Sequence, residues 1–385
     1  MLAITARALF TPLEKIEQPL VLVDEQKIVR ISSQSSAEIP AGARHIDFED
    51  SFLAPGLIDL HVHGAMGYDL MQDDEAGRAA FERFLVRHGV TSYFPTTLTA
   101  SLGDSLRALE RLGRAVEQAE TREQEPRACP LGIHLEGPFL SHLRRGVHPP
   151  ERLLTPTLDT FQRFWQASRG KIKIMTIAPE LPGALEVIAE AAKLGVCVSL
   201  GHSDATLEQT KAGIAAGGSH ATHTFNAMRP LGHRDPGIVG EVLSNASVTA
   251  DIIADGVHLH PSIVRVFLRA KGVERTVLVT DATAATGMPD GQYMLGSLEV
   301  EVRDGKCLHD GKLAGSVLTL DQAVRNAMKF AGIELQQSLR LATLNAAQAV
   351  KASRGVLEEG FPADLAVLAP SGEIRGTLAS GAIVQ

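Results

Sequence analysis

The stretch Gly56-Leu57-Ile58-Asp59-Leu60-His61-Val62-His63-Gly64 joins a short apolar run to two histidines one residue apart. Such a run, entered through Pro55-Gly56, predicts a buried β-strand. Side chains at positions i and i+2 of a strand point to the same side, so His61 and His63 should project together from its carboxyl end. Two imidazoles so placed suit one metal ion, and Gly64 lets the chain turn sharply. The pair alone is weak support, since such histidines also occur as ordinary hydrogen-bonded groups.

The composition is that of a soluble globular protein. The chain has 385 residues, 44% of them hydrophobic, and a net charge of −8. This hydrophobic content is enough for a large core. The negative net charge argues against a nucleic-acid-binding surface and against a polybasic membrane-binding surface. Cys129, Cys197 and Cys307 are far apart and predict no disulfide framework. No signal peptide or membrane helix is indicated, so we expect a cytoplasmic protein with neither nucleic-acid nor membrane partners.

Apolar segments that read as strands alternate with helical periodicity, and they cover residues 57–63, 89–99, 130–138, 172–180, 196–202, 220–226, 248–254 and 276–281. This alternation predicts a parallel α/β barrel, with catalytic side chains at the carboxyl ends of the strands. The alternative is an open doubly wound sheet, which would carry a Gly-rich dinucleotide turn after its first strand. The turn Gly64-Ala65-Met66-Gly67 lacks that pattern. We therefore predict a TIM-type (β/α)8 barrel of the metal-dependent hydrolase type over residues 54–353.

Both ends of the chain read as short strands. Segments 20–23 and 27–31 flank a turn and predict a hairpin, and segments 364–368, 376–378 and 382–384 repeat the pattern near the carboxyl end. Each terminal region is too short to be a domain separately. We therefore predict one small, discontinuous β-sandwich domain from residues 1–53 and 354–385. The last helices of the barrel are expected at 320–332 and 335–351.

Polar residues recur at the ends of the predicted strands, and they are His61, His63, Glu136, His202, His223 and Asp281. Imidazoles with a carboxylate are the ligands expected for Zn²⁺ or Fe²⁺ in a catalytic site that keeps a position for water. Each residue alone has an ordinary interpretation; Glu136 could be a turn acceptor and Asp281 a helix N-cap. A barrel, however, brings all these strand ends to one rim. The recurrence therefore predicts a catalytic metal site.

Longer motifs surround these residues at 134–139, 200–205, 222–228, 255–258, 279–283, 313–316 and 360–368. By these motifs the chain resembles the amidohydrolase superfamily over essentially its whole length. The segments His-Leu-Glu-Gly-Pro-Phe and His-Thr-Phe-Asn-Ala-Met are similar to those of its members that deacetylate phosphorylated amino sugars. The resemblance implies hydrolysis of N-acetylglucosamine 6-phosphate to glucosamine 6-phosphate and acetate, in amino-sugar catabolism, by a homodimer.

The resemblance also implies a ligand set for one or two divalent ions, Zn²⁺ or Fe²⁺. Glu136, His202 and His223 would be the principal ligands, and His61 with His63 would serve a second ion. Many amidohydrolases bridge two metals through a carbamylated lysine on the fourth strand, but the strand ending at Glu180 has no lysine at its tip. Glu136 is therefore the bridging candidate.

The implied chemistry is metal-assisted amide hydrolysis. A divalent ion polarises the carbonyl and lowers the pKa of bound water towards ~7. Asp281 would take a proton from the attacking water and later deliver it to the departing amine. His148 would orient or polarise the acetyl group; its ordinary interpretation is a loop histidine in contact with solvent.

The substrate-binding residues implied by the resemblance are Val147, His148, Asn226, Ala227, Arg234, His258, Leu313, Ala314 and Gly315. Backbone N–H groups at Asn226-Ala227 and the Arg234 guanidinium suit a phosphate dianion. In some members the corresponding arginine acts across a dimer interface. The alternative for Arg234 is a surface ion pair with Asp235, which would contribute little.

Two rival functions are open at this point. One is another amidohydrolase chemistry, such as that of a deaminase or cyclic-amide hydrolase, and the implied phosphate set argues against it. The other is a catalytically inactive relative that serves as a binding or scaffold protein. The intact set of Glu136, His202, His223 and Asp281 argues against that.

Overall fold

The computed structural model describes residues 1–120 and 126–384. Its α-helices are α1 (Glu75–Arg87), α2 (Leu102–Glu120), α3 (Leu158–Ala167), α4 (Ala184–Lys193), α5 (Leu207–Ala216), α6 (Gly237–Ser244), α7 (Pro261–Lys271), α8 (Leu320–Ala331), α9 (Leu335–Leu341) and α10 (Leu344–Val350). Within this described part of the chain, no helix is both long and apolar enough to cross a bilayer.

The strands that precede α2 are β1 (Leu2–Thr5), β2 (Ala8–Phe10), β3 (Lys15–Glu17), β4 (Pro19–Asp24), β5 (Lys27–Ser33), β6 (Arg44–Asp47), β7 (Phe52–Pro55), β8 (Leu57–Val62), β9 (Gly64–Ala65), β10 (Tyr68–Asp69) and β11 (Val90–Pro95). Those that follow it are β12 (Cys129–Pro130), β13 (Ile133–Glu136), β14 (Ile172–Ile177), β15 (Cys197–Leu200), β16 (Gly218–Ala221), β17 (Ala250–Ile252), β18 (Thr276–Leu278), β19 (Gly291–Leu295), β20 (Leu298–Arg303), β21 (Lys306–His309), β22 (Lys312–Leu313), β23 (Leu365–Leu368), β24 (Ile374–Ala379) and β25 (Ala382–Val384).

Each of the eight predicted inner segments overlaps a strand, and these strands are β8, β11, β13, β14, β15, β16, β17 and β18. The overlap is smallest for β16, which begins two residues before the predicted segment and ends at Ala221. Parallel ladders join β8 to β11, join β13 through β14 and β15 to β16, and join β17 to β18. Single parallel bridges from Thr96 to His134 and from Val62 to Ala282 connect these groups. Beyond β16, the Thr224 N–H donates to the Asp251 carbonyl at 2.9 Å. The pairing therefore runs in chain order and brings the last strand beside the first.

The helices cover this set of strands with apolar faces. In α8 the residues at helical spacing, such as Leu320, Val324 and Ala327, are buried. The start of α5 is fixed by a capping box, in which the Thr206 hydroxyl accepts from the Gln209 N–H and the Gln209 side chain accepts from the Thr206 N–H. Packing of this kind leaves the strand ends as the place where polar side chains collect.

Strands from both termini meet in one sheet. Its order is β25-β24-β23-β7-β2-β3, and a second sheet has the order β5-β4-β1-β6. Antiparallel pairing of Leu365 with Pro55 joins the carboxyl-terminal strands to β7, and side chains such as Ile4, Val21 and Val367 share one buried cluster. The predicted hairpin at 20–23 and 27–31 is confirmed by antiparallel pairing of β4 with β5.

Two features differ from the sequence-based expectation. Strands β19–β22 form a four-stranded antiparallel sheet that the alternation of strands and helices did not predict. The prediction of a single helix over residues 335–351 was wrong. The helix is interrupted at Ala342 and Thr343, between α9 and α10. The break frees the Ala342 carbonyl, which accepts from the Ile58 N–H of β8 at 2.8 Å.

Candidate metal and active site

The five predicted metal ligands and the predicted catalytic residue Asp281 all lie at the carboxyl ends of the inner strands and are buried. His61 belongs to β8 and His63 follows it, Glu136 ends β13, and the others lie just beyond β15, β16 and β18. His202, His223 and Asp281 adopt positive φ angles of 47°, 29° and 51°. Non-glycine residues are uncommon in this region outside turns, and they cluster at active sites.

The turn after His63 depends on glycine. A Cβ at Gly64 would lie 2.1 Å from the carbonyl oxygen of Tyr68, so no larger residue fits there. The chain can therefore fold back at once into the β9–β10 hairpin and leave His63 facing the centre of the site.

One oxygen of Glu136 faces the first-strand histidines. Glu136 Oε2 lies 3.3 Å from His61 Nε2 and 3.2 Å from His63 Nε2. Asp281 Oδ1 lies 3.5 Å and 3.3 Å from the same two nitrogens, which are 3.2 Å apart. We call this group of donors, from His61, His63, Glu136 and Asp281, the first subsite.

The other oxygen of Glu136 faces a second pair of histidines. Glu136 Oε1 lies 3.2 Å from His202 Nε2 and 3.3 Å from His223 Nε2, and these nitrogens are 3.1 Å apart. We call this group of donors the second subsite. The carboxylate of Glu136 thus stands between two imidazole pairs.

These spacings fit the coordination of a divalent ion. Tetrahedral ligands at about 2.0–2.1 Å from zinc lie roughly 3.3–3.4 Å from one another. The Nδ1 of His202 lies 3.0 Å from the Arg144 carbonyl, and it must donate there, which leaves a lone pair on Nε2. Imidazole Nε2 atoms only 3.1–3.2 Å apart repel each other unless a proton or a cation neutralises them. The residues present therefore suit a divalent metal.

The electrostatics agree with a cation site. Burial raises the pKa of Glu136, but the charge of His61 and hydrogen bonds from neighbouring histidines hold it well below its usual range. Burial lowers the pKa of His63 and of His223, yet hydrogen bonds to the carboxylates raise these values to about 10 and about 9. In the absence of metal, protons therefore occupy the places that a cation would take.

His148 differs from the other histidines of the site. Its Nδ1 lies 3.4 Å from the Thr99 N–H, which can only donate, and 2.7 Å from the Thr99 hydroxyl. Nδ1 is therefore the acceptor in these contacts, which places the ring proton on Nε2. That Nε2 lies 3.7 Å from Glu136 Oε2. With a proton on Nε2, His148 can donate a hydrogen bond from this atom, whereas a metal ligand would need a free lone pair there.

Two buried carboxylates that the sequence reasoning missed support the ligands. The Asp59 carboxylate accepts from the Thr280 hydroxyl at 2.6 Å and from the His61 N–H at 3.3 Å, and burial raises its pKa to about 6. Asp251 accepts from the His223 N–H and from His220 Nε2, the latter at 2.9 Å. Both lie on inner strands, and Asp59 is two residues before His61. This position in the sequence could have identified them as supporting residues.

A cavity of about 210 Å³ opens onto these groups and is lined by His63, Leu98, Glu136, Gly146, Val147, His148, His202, His223, Asn226, Ala227, His258, Asp281, Leu295, Leu313 and Gly315. Most of the predicted site residues therefore meet in one place. Leu98, Gly146 and Leu295 were not predicted, since leucines in apolar runs read as core. A larger groove of about 670 Å³ runs along the terminal sheets and contains none of the predicted residues.

Three predicted residues lie outside the lining of this cavity. His61 is fully buried behind it and faces the first subsite. Ala314 is buried, and its N–H donates to the Cys307 carbonyl at 3.0 Å. Arg234 is exposed, in the loop between β16 and α6.

The polar residues that line the cavity include His258 and Asn226. His258 Nδ1 donates to Asp255 Oδ2 at 2.6 Å, so the carboxylate fixes the orientation of the ring. The Asn226 amide donates to the His223 carbonyl at 3.3 Å. These two lining residues can supply hydrogen-bond donors to an anionic group.

Buried imidazoles and carboxylates at the ends of parallel strands, beside a cavity, are typical of metal-dependent hydrolases. Residues 52–384 match the model of the amidohydrolase family. The chain belongs to the amidohydrolase family.

Two relatives of the chain and one similar solved structure are named as deacetylases of phosphorylated amino sugars. The chain is 37% identical over 370 residues to an N-acetylglucosamine-6-phosphate deacetylase of Lysinibacillus sphaericus, covering 95% of this chain and 93% of that one. It is 36% identical to an N-acetylgalactosamine-6-phosphate deacetylase of Escherichia coli O157:H7, covering 86% of each. A Mycobacterium smegmatis N-acetyl-D-glucosamine-6-phosphate deacetylase mutant, solved with N-acetyl-D-glucosamine-6-phosphate, superposes with a TM-score of 0.92 at 34% identity, covering 99% of this chain and 98% of that chain.

Proposed function

We propose that this protein hydrolyses the amide bond of N-acetylglucosamine 6-phosphate and releases glucosamine 6-phosphate and acetate. The observation that carries the proposal is the position of Glu136 between two imidazole pairs, at a cavity that also receives the N–H donor of His148. Relatives with this name over most of the chain support the choice of substrate.

The fold proposed for this activity is a closed TIM-type (β/α)8 barrel over residues 54–353. The parallel ladders and the bridge from Val62 to Ala282 support closure of the ring. Residues 1–53 and 354–385 would form the small β-sandwich domain, supported by the sheet that joins β7 to β23.

The proposed cofactor is a pair of divalent ions, Zn²⁺ or Fe²⁺, with Glu136 shared between the two subsites. His61, His63 and Asp281 would complete the first subsite, and His202 with His223 would complete the second. When bound, the metal polarises the substrate carbonyl and lowers the pKa of water. The separate contacts of Glu136 Oε1 and Oε2 support a bridging role.

Asp281 is the proposed general base and general acid. Its carboxylate is ionised, because burial, which raises its pKa, is outweighed by the charge of His61 and the hydrogen bond from His63. An ionised carboxylate can accept a proton from the attacking water and return it to the amine as the C–N bond breaks. His148 would donate its Nε2–H to the carbonyl oxygen as negative charge develops there.

The phosphate would bind in the cavity to the Ala227 N–H, Asn226 and His258. No lysine or arginine is among the described residues that line this cavity, although a dianion is best bound by a guanidinium. Because Arg234 is exposed and outside the lining, we propose that it reaches the phosphate bound in a second subunit of a homodimer.

A substrate comparison tests the proposal. Purified, metal-loaded protein is assayed for amine release from N-acetylglucosamine 6-phosphate, its galacto epimer and unphosphorylated N-acetylglucosamine. We expect the phosphorylated sugars to be hydrolysed with a much higher kcat/KM. Equal rates on the unphosphorylated sugar would favour another amidohydrolase chemistry, and inactivity on all three would favour a binding protein.

A further inference from the structure

One wall of the active-site cavity is apolar. Leu98, Val147, Leu295 and Leu313 line the cavity together with charged and polar groups. Leu98 and Leu295 are 5% and 2% exposed and belong to one hydrophobic cluster, against which Val147 packs. Leu295 ends strand β19, so this wall depends on the inserted sheet as well as on the segment after β11.

The position of Leu295 is fixed by a buried carboxylate. Asp69 Oδ2 accepts from the Gly296 N–H at 2.7 Å, and Asp69 Oδ1 accepts from the Met71 N–H at 2.7 Å. A Cβ at Gly296 would lie 2.9 Å from Leu98 Cδ2, so the turn after β19 is pressed against that leucine. The wall is therefore held on two sides and has little room to move.

The geometry of an amide predicts what meets this wall. The carbonyl carbon has three substituents in one plane: the oxygen, the nitrogen that carries the sugar, and the acyl chain. The oxygen belongs beside the Nε2–H of His148, and the phosphorylated sugar extends towards Asn226 and His258. The acyl chain is left to face the apolar wall, and Leu98 precedes Thr99, whose backbone and hydroxyl contact His148.

We propose that Leu98 and Leu295 limit the length of the acyl group and make the enzyme selective for N-acetyl over longer N-acyl substrates. The inference rests on the proposed function and adds the determinant of acyl specificity to it. A methyl group has no hydrogen-bonding capacity, so only shape and apolar contact can distinguish it from a longer chain. One extra methylene in a closed hydrophobic pocket changes kcat/KM by about tenfold or more.

The test measures kcat/KM for the N-acetyl, N-propionyl and N-butyryl forms of glucosamine 6-phosphate. The wild-type protein should lose about tenfold with each added methylene. Leu98→Ala and Leu295→Ala each remove three carbon atoms from the wall. They should raise the propionyl-to-acetyl ratio of kcat/KM by about tenfold or more, while metal content stays unchanged. Leu98→Val and Leu295→Val, which preserve more of the packing, should shift the ratio in the same direction by a few fold.

A matched control is Leu298→Ala, a leucine of the same inserted sheet that packs against the same cluster but does not line the cavity. It should leave the acyl preference of the wild type unchanged. Wild-type-like ratios in both alanine variants, or in both valine variants where the alanine variants do not fold, would overturn the inference while leaving the deacetylase activity established. Absence of activity on every N-acyl form would instead overturn the proposed function and the inference with it.

Discussion

Substitution of His148 can distinguish a catalytic hydrogen-bond donor from a metal ligand. Its Nδ1 accepts from Thr99, so its Nε2 carries a hydrogen and faces the cavity. His148→Phe keeps an aromatic ring of similar shape and removes the N–H. We predict a large fall in kcat, with KM and bound metal little changed, because the donor acts on charge that develops only in the transition state.

The magnitude follows from the number of hydrogen bonds lost. One donor to a developing oxyanion contributes about 10²–10³ in kcat, or about 2.7–4 kcal/mol. His148→Gln, whose amide can still donate near the position of Nε2, should lose less. Thr99→Val removes the hydroxyl at 2.7 Å from Nδ1 but keeps the backbone N–H, so it should cost about 1 kcal/mol, or about fivefold in kcat.

Steady-state kinetics and elemental analysis of the same preparations decide the question. The reasoning predicts the order wild type, Thr99→Val, His148→Gln, His148→Phe in decreasing kcat, with equal ion content throughout. Loss of an ion from His148→Phe would refute it, since His148 would then be a ligand beside Glu136 and His202. Unchanged kcat in His148→Phe would remove His148 from the reaction.

Three further predictions concern the carboxylates and histidines. Asp281→Asn should reduce turnover by orders of magnitude while its circular dichroism spectrum and substrate binding stay intact, and unchanged turnover would refute the role of Asp281. Metal binding at pH 7 should release protons, because the pKa values of His63 and His223 in the metal-free site are about 10 and about 9. Calorimetry in buffers of different ionisation enthalpy measures this release, and heats that do not depend on the buffer would contradict it. Burial raises the pKa of Asp321, but the hydrogen bond and charge of His88 lower it to about 2. This lowered pKa stabilises the fold above about pH 4 and the effect is lost as pH falls to about 2. Asp321→Asn should therefore lower the free energy of unfolding by about 2 kcal/mol at pH 5, with the difference shrinking below pH 4 in urea titrations; a difference that stays constant between pH 5 and pH 2 would refute this account.

The inner strands were predictable because they are apolar runs, and several of them end in a polar residue. His61, Glu136 and Asp281 stand at such ends, and the structure brings them within hydrogen-bonding reach of one another. Apolar periodicity indicates which residues are buried in each strand. Because the carboxyl ends of parallel strands lie at the same edge, polar side chains at these ends come together in one site.

The features that escaped prediction depend on contacts distant in sequence. Leu98 and Leu295 read as ordinary core residues, and only the fold brings them together in the lining of the cavity. The helix break at Ala342 coincides with a hydrogen bond from the Ile58 N–H to the Ala342 carbonyl, a distant contact that no local propensity reveals. The inserted sheet is built from short strands with exposed faces, and these leave a weak hydrophobic pattern.

The central claim is that a metal held at Glu136 enables hydrolysis of the phosphorylated acetamido sugar. The most direct measurement is glucosamine 6-phosphate release as chelator-treated protein is titrated with Zn²⁺ or Fe²⁺, with the ion-to-chain ratio determined on every sample. We predict no activity without metal and a maximum as the ratio approaches two. Full activity in metal-free protein, or none at any ratio, would contradict this account.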